Sequence, residues 1–166
     1  RIVKDCVEAF IHKKNLLIRS PNSTRPWQHV LEPLSGYLLL GAKLLNDDNL
    51  NGEPFNFGPD SSQDITVIAL LQNLAKIWGW NEFDDAIKIH DFQRSFNEAG
   101  LLKLDCNKAK SFINWESNLD FNESLIFISQ WYKNYFLTSQ NLYNITLDQI
   151  DKYEKLGIER KRDWIY

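Results

Sequence analysis

Arg25, Trp27, His29, Asn56 and Glu98 carry side chains able to hold a ligand. The guanidinium of Arg25 presents a planar fork of donors that matches diphosphate oxygens two at a time. The plainer reading of Arg25 is a solvated loop arginine. Trp27, Gln28 and His29 follow it in what reads as a short strand. Alternate side chains of a strand face opposite ways, so these three cannot all line one pocket. His29 is either a hydrogen-bonded structural histidine or a ligand contact. Asn56 precedes Phe57-Gly58-Pro59 and is as much a turn-former as a binding group. Glu98 carries an acceptor-only carboxylate that can take hydrogen bonds from hydroxyls or an amine.

None of these residues sits in a catalytic motif. The seven glycines, at 36, 41, 52, 58, 79, 100 and 157, never fall two apart, so no G-x-G-x-x-G turn exists to bring backbone amides to a pyrophosphate. No tyrosine is followed four residues later by lysine, and no H-E-x-x-H, C-x-x-C or G-x-S-x-G is present. Cys6 and Cys106 stand far apart without metal-ligand spacing and read as reduced, buried thiols. No chemistry is therefore recognisable in the chain from motifs alone.

The elements that must position these side chains read as those of one α+β domain, small and mostly helical with a few short strands. The length of 166 residues with 43% apolar and 25% charged residues suits a single core, and no apolar run is long enough for a membrane span. A formal charge of -3 argues against nucleic acid or an anionic membrane as partner. A soluble, cytoplasmic protein is expected. The chain opens on Arg1-Ile2-Val3 and holds no methionine, which suggests an excised segment. A first helix reaches about Lys13, followed by a strand at Leu16–Arg19 and a polar loop to Pro26. A helix opened by Glu32 and Pro33 runs to Leu45, and its near-continuous leucines predict burial on several sides. A strand is expected near Phe55–Phe57. Asp64 then caps a helix whose Val67, Leu70, Leu71, Leu74, Ile77 and Trp78 follow a 3.6-residue period up to a left-handed stop at Gly79. Further strands are expected at Ala86–His90 and Leu101–Leu104, and a short helix capped by Asp105 ends near Asn114. A helix follows over Phe121–Phe136. Thr146 and Gln149 have capping-box spacing for a last helix to Leu156. Residues 1–156 thus form the domain, and 157–166 read as a solvated charged tail.

The run Arg25-Pro26-Trp27-Gln28-His29-Val30-Leu31-Glu32-Pro33-Leu34, continuing to Leu40, closely resembles the signature of CDP-glucose 4,6-dehydratases, members of the extended short-chain dehydrogenase (NAD-dependent epimerase/dehydratase) family. Asn56-Phe57-Gly58-Pro59, Glu98-Ala99, Leu102-Lys103-Leu104-Asp105, Lys108-Ala109 before Trp115, Trp131-Tyr132-Lys133 and Thr146 to Ile150 resemble later landmarks of that family in order, so the likeness covers Arg1 to about Leu156. It implies the smaller, C-terminal nucleotide-sugar-binding domain of an enzyme whose N-terminal Rossmann domain holds NAD and the Tyr-Lys pair. That enzyme oxidises the sugar at C4, eliminates water across C5 and C6, and returns the hydride to C6. The resemblance implies a CDP-sugar as substrate, the missing Rossmann domain as partner, NAD in the full-length enzyme and none on this chain, which alone should be inactive. Self-association through the exposed interdomain face is a further expectation. Arg25 would point at the diphosphate, Asn56 at the ribose, and Glu98 at the ribose or base, with Trp27 and His29 beside Arg25. Asn97 departs from the histidine the family usually carries before that glutamate. The alternatives are the equivalent domain of another nucleotide-sugar dehydratase or epimerase, or a freestanding interaction module.

Overall fold

The structure is a computed structural model describing residues 2–89, 100–138 and 141–165. Among these residues the chain is mostly helical, with one two-stranded sheet, as the α+β reading expects. Its helices are α1 (Ile2–Ile11), α2 (Leu31–Leu44), α3 (Val67–Trp78), the single-turn α4 (Phe83–Ala86), α5 (Asn107–Ile113), α6 (Phe121–Leu137) and α7 (Leu142–Glu159). Strands β1 (Leu16–Ile18) and β2 (Ile87–Ile89) pair in parallel, Leu16 opposite Ile87 and Ile18 opposite Ile89. Leu16 and Ile18 turn inward and Leu17 outward, the two-residue alternation of a strand with one covered face.

The largest core gathers Cys6, Val7 and Ala9 of α1, the inward residues of β1, and Leu70, Leu71, Leu74, Ala75 and Trp78 of α3, with Leu125 reaching in from α6. The 3.6-residue period of α3 makes this possible, and Gly79 ends the helix in the left-handed conformation at φ 72°. Its cap is Thr66, whose hydroxyl accepts from the Ala69 N–H, and not Asp64. Both residue types can cap, and which of the two does so depends on where the chain enters the helix. Asn114 supplies the expected left-handed end to α5, and Asp105 accepts from the Asn107 N–H at its start.

Several expectations are corrected. Helix α2 is not buried on several sides: Glu32, Ser35, Gly36 and Leu39 are covered, whereas Leu34, Tyr37, Leu38, Leu44 and Leu45 are exposed. Residues Phe55–Phe57 are extended but pair with no strand, and Leu101 makes only an isolated bridge to Thr24. The final helix starts at Leu142, capped by Asn141. Thr146 lies inside it, donating to the Leu142 carbonyl and accepting from the Trp131 indole, while Gln149 donates to the Phe127 carbonyl. The spacing of Thr146 and Gln149 was therefore not a cap.

The charged C-terminal segment is docked rather than solvated. Arg160 forks onto Glu123, Arg162 pairs with Glu116, and Trp164 stacks on Tyr153 with ring centroids 5.0 Å apart. Gly157 makes room for that indole, since a Cβ there would lie 2.8 Å from Trp164. No helix among the described residues is long and apolar enough to cross a membrane.

Candidate functional site

The segment carrying Arg25 is held from both sides by parts of the chain distant in sequence. Ahead of it, the Val67 and Ile68 N–H groups in the first turn of α3 donate to the Ser23 and Pro21 carbonyls, each at 2.9 Å. Helix N-termini leave such donors unpaired, and here the loop supplies the acceptors. The Thr24 N–H donates to the Gly100 carbonyl, and Thr24 bridges to both Thr66 and Leu101. Behind Arg25, the Trp27 N–H returns to the Arg25 carbonyl at 2.8 Å, a tight turn around Pro26. Residues 25–29 therefore form an irregular clamped loop and not the expected strand.

Two glutamines complete the clamp. Gln63 donates to the Trp27 carbonyl at 2.8 Å, and Gln28 donates to the Phe57 carbonyl at 3.0 Å. The second bond joins the Arg25 loop to the segment carrying Asn56. Asn56 is exposed and donates to the Asp105 carbonyl at 3.1 Å, while Gly58 lies so close to Leu104 that a Cβ would sit 2.9 Å from it. Stretches 24–28, 56–63 and 100–106 thus converge on one region, although they are dispersed in sequence. Arg25 itself donates from Nη1 to the Thr24 carbonyl at 2.7 Å.

The other expected site residues differ in placement. The Trp27 indole N–H donates to the Ile65 carbonyl at 2.9 Å, and its ring packs against the main core. His29 is buried edge-on to Phe127, and its Nδ1 accepts the Leu31 N–H at 3.3 Å. Both side chains are engaged within the protein, as framework of the Arg25 loop. Glu98 lies outside the described residues, as does Asn97. Gln28 and Gln63 were not singled out in the sequence, because nothing local tells a loop glutamine which distant carbonyl it will reach.

Burial pushes the His29 imidazole down to about 4. A folded-state value below the unfolded one means that the unfolded chain binds the proton more readily. The stability His29 contributes is therefore intact above about pH 6.5 and is lost as the pH falls toward 4. A His29→Asn variant, whose amide oxygen can replace Nδ1 as acceptor, should lose less stability than wild type between pH 7 and 5 in urea denaturation. Parallel losses in both proteins would rule this out.

Beside Asn56 lies an open hollow of about 670 Å³, walled by Gly58–Gln63, Leu104–Asn107 and the link Trp115–Phe121, with Arg160 and Arg162 at its far side. Its cations already hold carboxylates: Arg160 with Glu123, and Arg162 and Lys110 with Glu116. These contacts keep both carboxyls below their ordinary range, Arg160 acting chiefly on Glu123 and Lys110 chiefly on Glu116. A dianionic ligand in the hollow would have to break such pairs, so the hollow does not read as a diphosphate site. Among the described residues no group of three or more His, Cys, Asp or Glu could hold a metal ion. Cys6 is buried and Cys106 partly so, both as free thiols. Burial pushes the Cys6 thiol up to about 12, which makes it inert.

No protein-family model matches the chain. It is 37% identical to CDP-glucose 4,6-dehydratase of Salmonella typhimurium over 133 residues, 80% of this chain and 36% of that protein. The chain therefore spans about a third of the length of the curated relative it matches. Among solved structures, dTDP-glucose 4,6-dehydratase from Bacillus anthracis str. Ames in complex with NAD matches with a TM-score of 0.61, covering 81% of this chain and 39% of that one at 16% identity. That likeness concerns the fold, part of an extended Rossmann-type dehydratase. The resemblance to CDP-glucose 4,6-dehydratases read from the sequence is thus matched across four fifths of the chain.

Proposed function

We propose that this chain is the part of a CDP-glucose 4,6-dehydratase that grips the sugar nucleotide, working in one polypeptide with an N-terminal NAD-binding domain. The observation that carries this reading is the 37% identity to the Salmonella enzyme over most of the chain. The clamped Arg25 loop supports it. A guanidinium held on a loop with fixed neighbours has less freedom to lose when it meets a diphosphate, and its fork engages two oxygens at once. Asn56, on the segment tied to that loop through Gln28, and Glu98 are the proposed contacts to ribose and base. Trp27 and His29 serve by holding the loop. NAD supplies hydride chemistry when bound to such enzymes. The residues of this chain do not fit it, because the sequence holds no G-x-G-x-x-G turn to bring backbone amides to its pyrophosphate.

The test joins this chain, in one polypeptide, to the portion of the Salmonella enzyme that the match leaves out. Calorimetric titration with CDP-glucose should give a Kd that Arg25→Ala raises on the order of 30-fold, the worth of about 2 kcal/mol for a charge-assisted hydrogen-bond pair. Arg25→Lys, with charge but no fork, should fall between. Unchanged affinity in Arg25→Ala would remove Arg25 from the site. Tighter binding of a UDP, GDP or dTDP sugar would assign the chain to another nucleotide-sugar enzyme.

A further inference from the structure

A second hollow, of about 330 Å³, opens between the start of α1, the turn into α2 and the helices α6 and α7. Val30, Leu31, Ile128 and Ile150 give it aliphatic walls, and Trp131 and Tyr132 an aromatic one. Two bonds hold its α6 and α7 walls together: the Trp131 indole donates to the Thr146 hydroxyl at 3.1 Å, and Gln149 donates to the Phe127 carbonyl at 2.6 Å. Sites for small molecules are of this kind, mostly apolar with a few placed polar groups, and this one falls at the lower end of their size range.

Two such polar groups are present. His29 is 7% exposed and Gln149 6%, and both line the hollow. The His29 Nδ1 accepts the Leu31 N–H, so the neutral imidazole carries its proton on Nε2, which has no acceptor among the described residues. The Gln149 amide nitrogen is held by the Phe127 carbonyl, and its Oε1 receives no donor among those residues. Neither atom is one of the partnerless side-chain atoms sealed from solvent, and the larger hollow beside Asn56 touches neither residue. Nε2 and Oε1 therefore open into this one. Both residues flank Phe127, His29 edge-on to its ring and Gln149 on its carbonyl, which sets the donor and the acceptor on neighbouring parts of the wall.

We infer that this hollow binds a small uncharged planar molecule, apolar in body with a carboxamide or lactam edge, whose carbonyl accepts from His29 Nε2 and whose N–H donates to Gln149 Oε1. The absence of charge follows from the lining. No carboxylate stands in it to hold a cation, and its one cation, Lys4, is more than half exposed and already pairs with Glu8 at 3.5 Å. Water can make the same two bonds but leaves the apolar walls wet. A ligand that reproduces both bonds and covers those walls displaces it with a gain. Neither Arg25 nor Asn56 lines the hollow, so this site stands or falls apart from sugar-nucleotide binding.

Benzamide is the probe; toluene, which lacks the carboxamide, and benzoate, which is charged and cannot donate, are the controls. Titration of the chain followed by nuclear magnetic resonance should give a benzamide Kd on the order of 1 mM, fitting for so small a ligand, with shifts at the Trp131 indole and the Ile128 and Ile150 methyls. Toluene and benzoate should bind at least about tenfold more weakly. His29→Asn keeps an acceptor for the Leu31 N–H but places no N–H in the hollow, and it should weaken benzamide about five- to tenfold while leaving toluene unchanged. In the wild type the His29 Nε2 proton should exchange with water more slowly once benzamide is bound, and an unchanged rate overturns the inference even if the variant does not fold. Toluene binding as well as benzamide would reduce the hollow to an apolar dent, and benzoate doing so would make Lys4 the recognising group; either result overturns it. So do shifts confined to other parts of the surface, and so does loss of benzamide binding in the joined polypeptide, where another domain would then fill the hollow.

Discussion

Glu32→Ala is expected to cost about 3–5 kcal/mol, enough to unfold much of a domain of ordinary stability. The Glu32 carboxylate is 1% exposed and lies at the start of α2, where its two oxygens accept the Asn118 N–H at 2.8 Å and the Leu119 N–H at 2.7 Å. These donors belong to the link between α5 and α6, far away in sequence. Removing the carboxylate leaves both buried amides without partners, and an orphaned buried donor costs more than the bond contributed. Glu32→Gln should cost less, about 1–3 kcal/mol, since its oxygen still satisfies one amide while its NH₂ faces the other. Burial raises the Glu32 carboxyl above the ordinary glutamate range, with the two amides, Tyr153 and Arg162 holding it back. The stability linked to this shift is present below the unfolded value and is lost as the pH rises through the folded one. Glutamine does not titrate, so the gap between wild type and Glu32→Gln should narrow as the pH is raised from about 4 to 7.5. The depressed carboxyls of Glu116 and Glu123 act oppositely but are common to both proteins. A calorimetric gap that widens with pH would contradict the assignment.

Glu32 also explains why the run from Arg25 to Leu40 is so distinctive in sequence. The Trp27 indole, the Gln28 amide, the His29 imidazole, the Glu32 carboxylate and the Ser35 hydroxyl each have a partner inside the protein, and Gly36 lies against Phe57. Most of the run therefore specifies how α2 and the Arg25 loop are held. A local pattern could locate α2 and α3, because a 3.6-residue period and a glycine stop are written into adjacent residues. It could not say what covers α2, since periodicity reports an apolar face and not its neighbour. The docked end of the chain was hidden by composition: Glu159 to Asp163 read as solvent-loving, and Trp164 with Gly157 was the signal that something was packed there. Thr146 and Gln149 misled because a side chain inside a helix can bond four residues back and mimic the residue types of a cap. The clamp on Arg25 was illegible for a different reason. Gln28 and Gln63 act across 29 and 36 residues, and no local rule carries that far.

Trp115→Ala should cost about 3–5 kcal/mol, comparable to the loss of Glu32 and through the same centre. Trp115 is 1% exposed, meets Phe57 edge-on at 5.0 Å and donates its indole N–H to the Ser35 hydroxyl oxygen at 3.0 Å. Ser35 in turn donates to the Glu32 carbonyl at 2.7 Å and accepts from the Tyr153 hydroxyl at 3.2 Å. One serine thus ties α2 to the segment after α5 and to α7, joining the core cluster around Trp115 to the one around Tyr153. Trp115→Phe keeps an aromatic ring but removes the donor and part of the volume, and should cost about 1–3 kcal/mol. Combined with Glu32→Gln, it should depart from additivity by about 0.5–3 kcal/mol in a double-mutant cycle read by urea denaturation, since the Glu32 carboxyl and the Ser35 hydroxyl that Trp115 reaches share Tyr153 as a partner. Additivity would mean that the two sides of Ser35 are energetically independent. The consequence reaches the site, because Phe57 is both the ring against Trp115 and the carbonyl that Gln28 holds. In the joined polypeptide, Trp115→Phe should therefore weaken CDP-glucose binding with Arg25 untouched, and rescue by the conservative Trp115→Tyr is not expected, because a phenol hydroxyl cannot stand where the indole N–H reaches Ser35. Full affinity in Trp115→Phe would show that the Arg25 loop is held well enough by Gln63, Ile65 and the first turn of α3 alone.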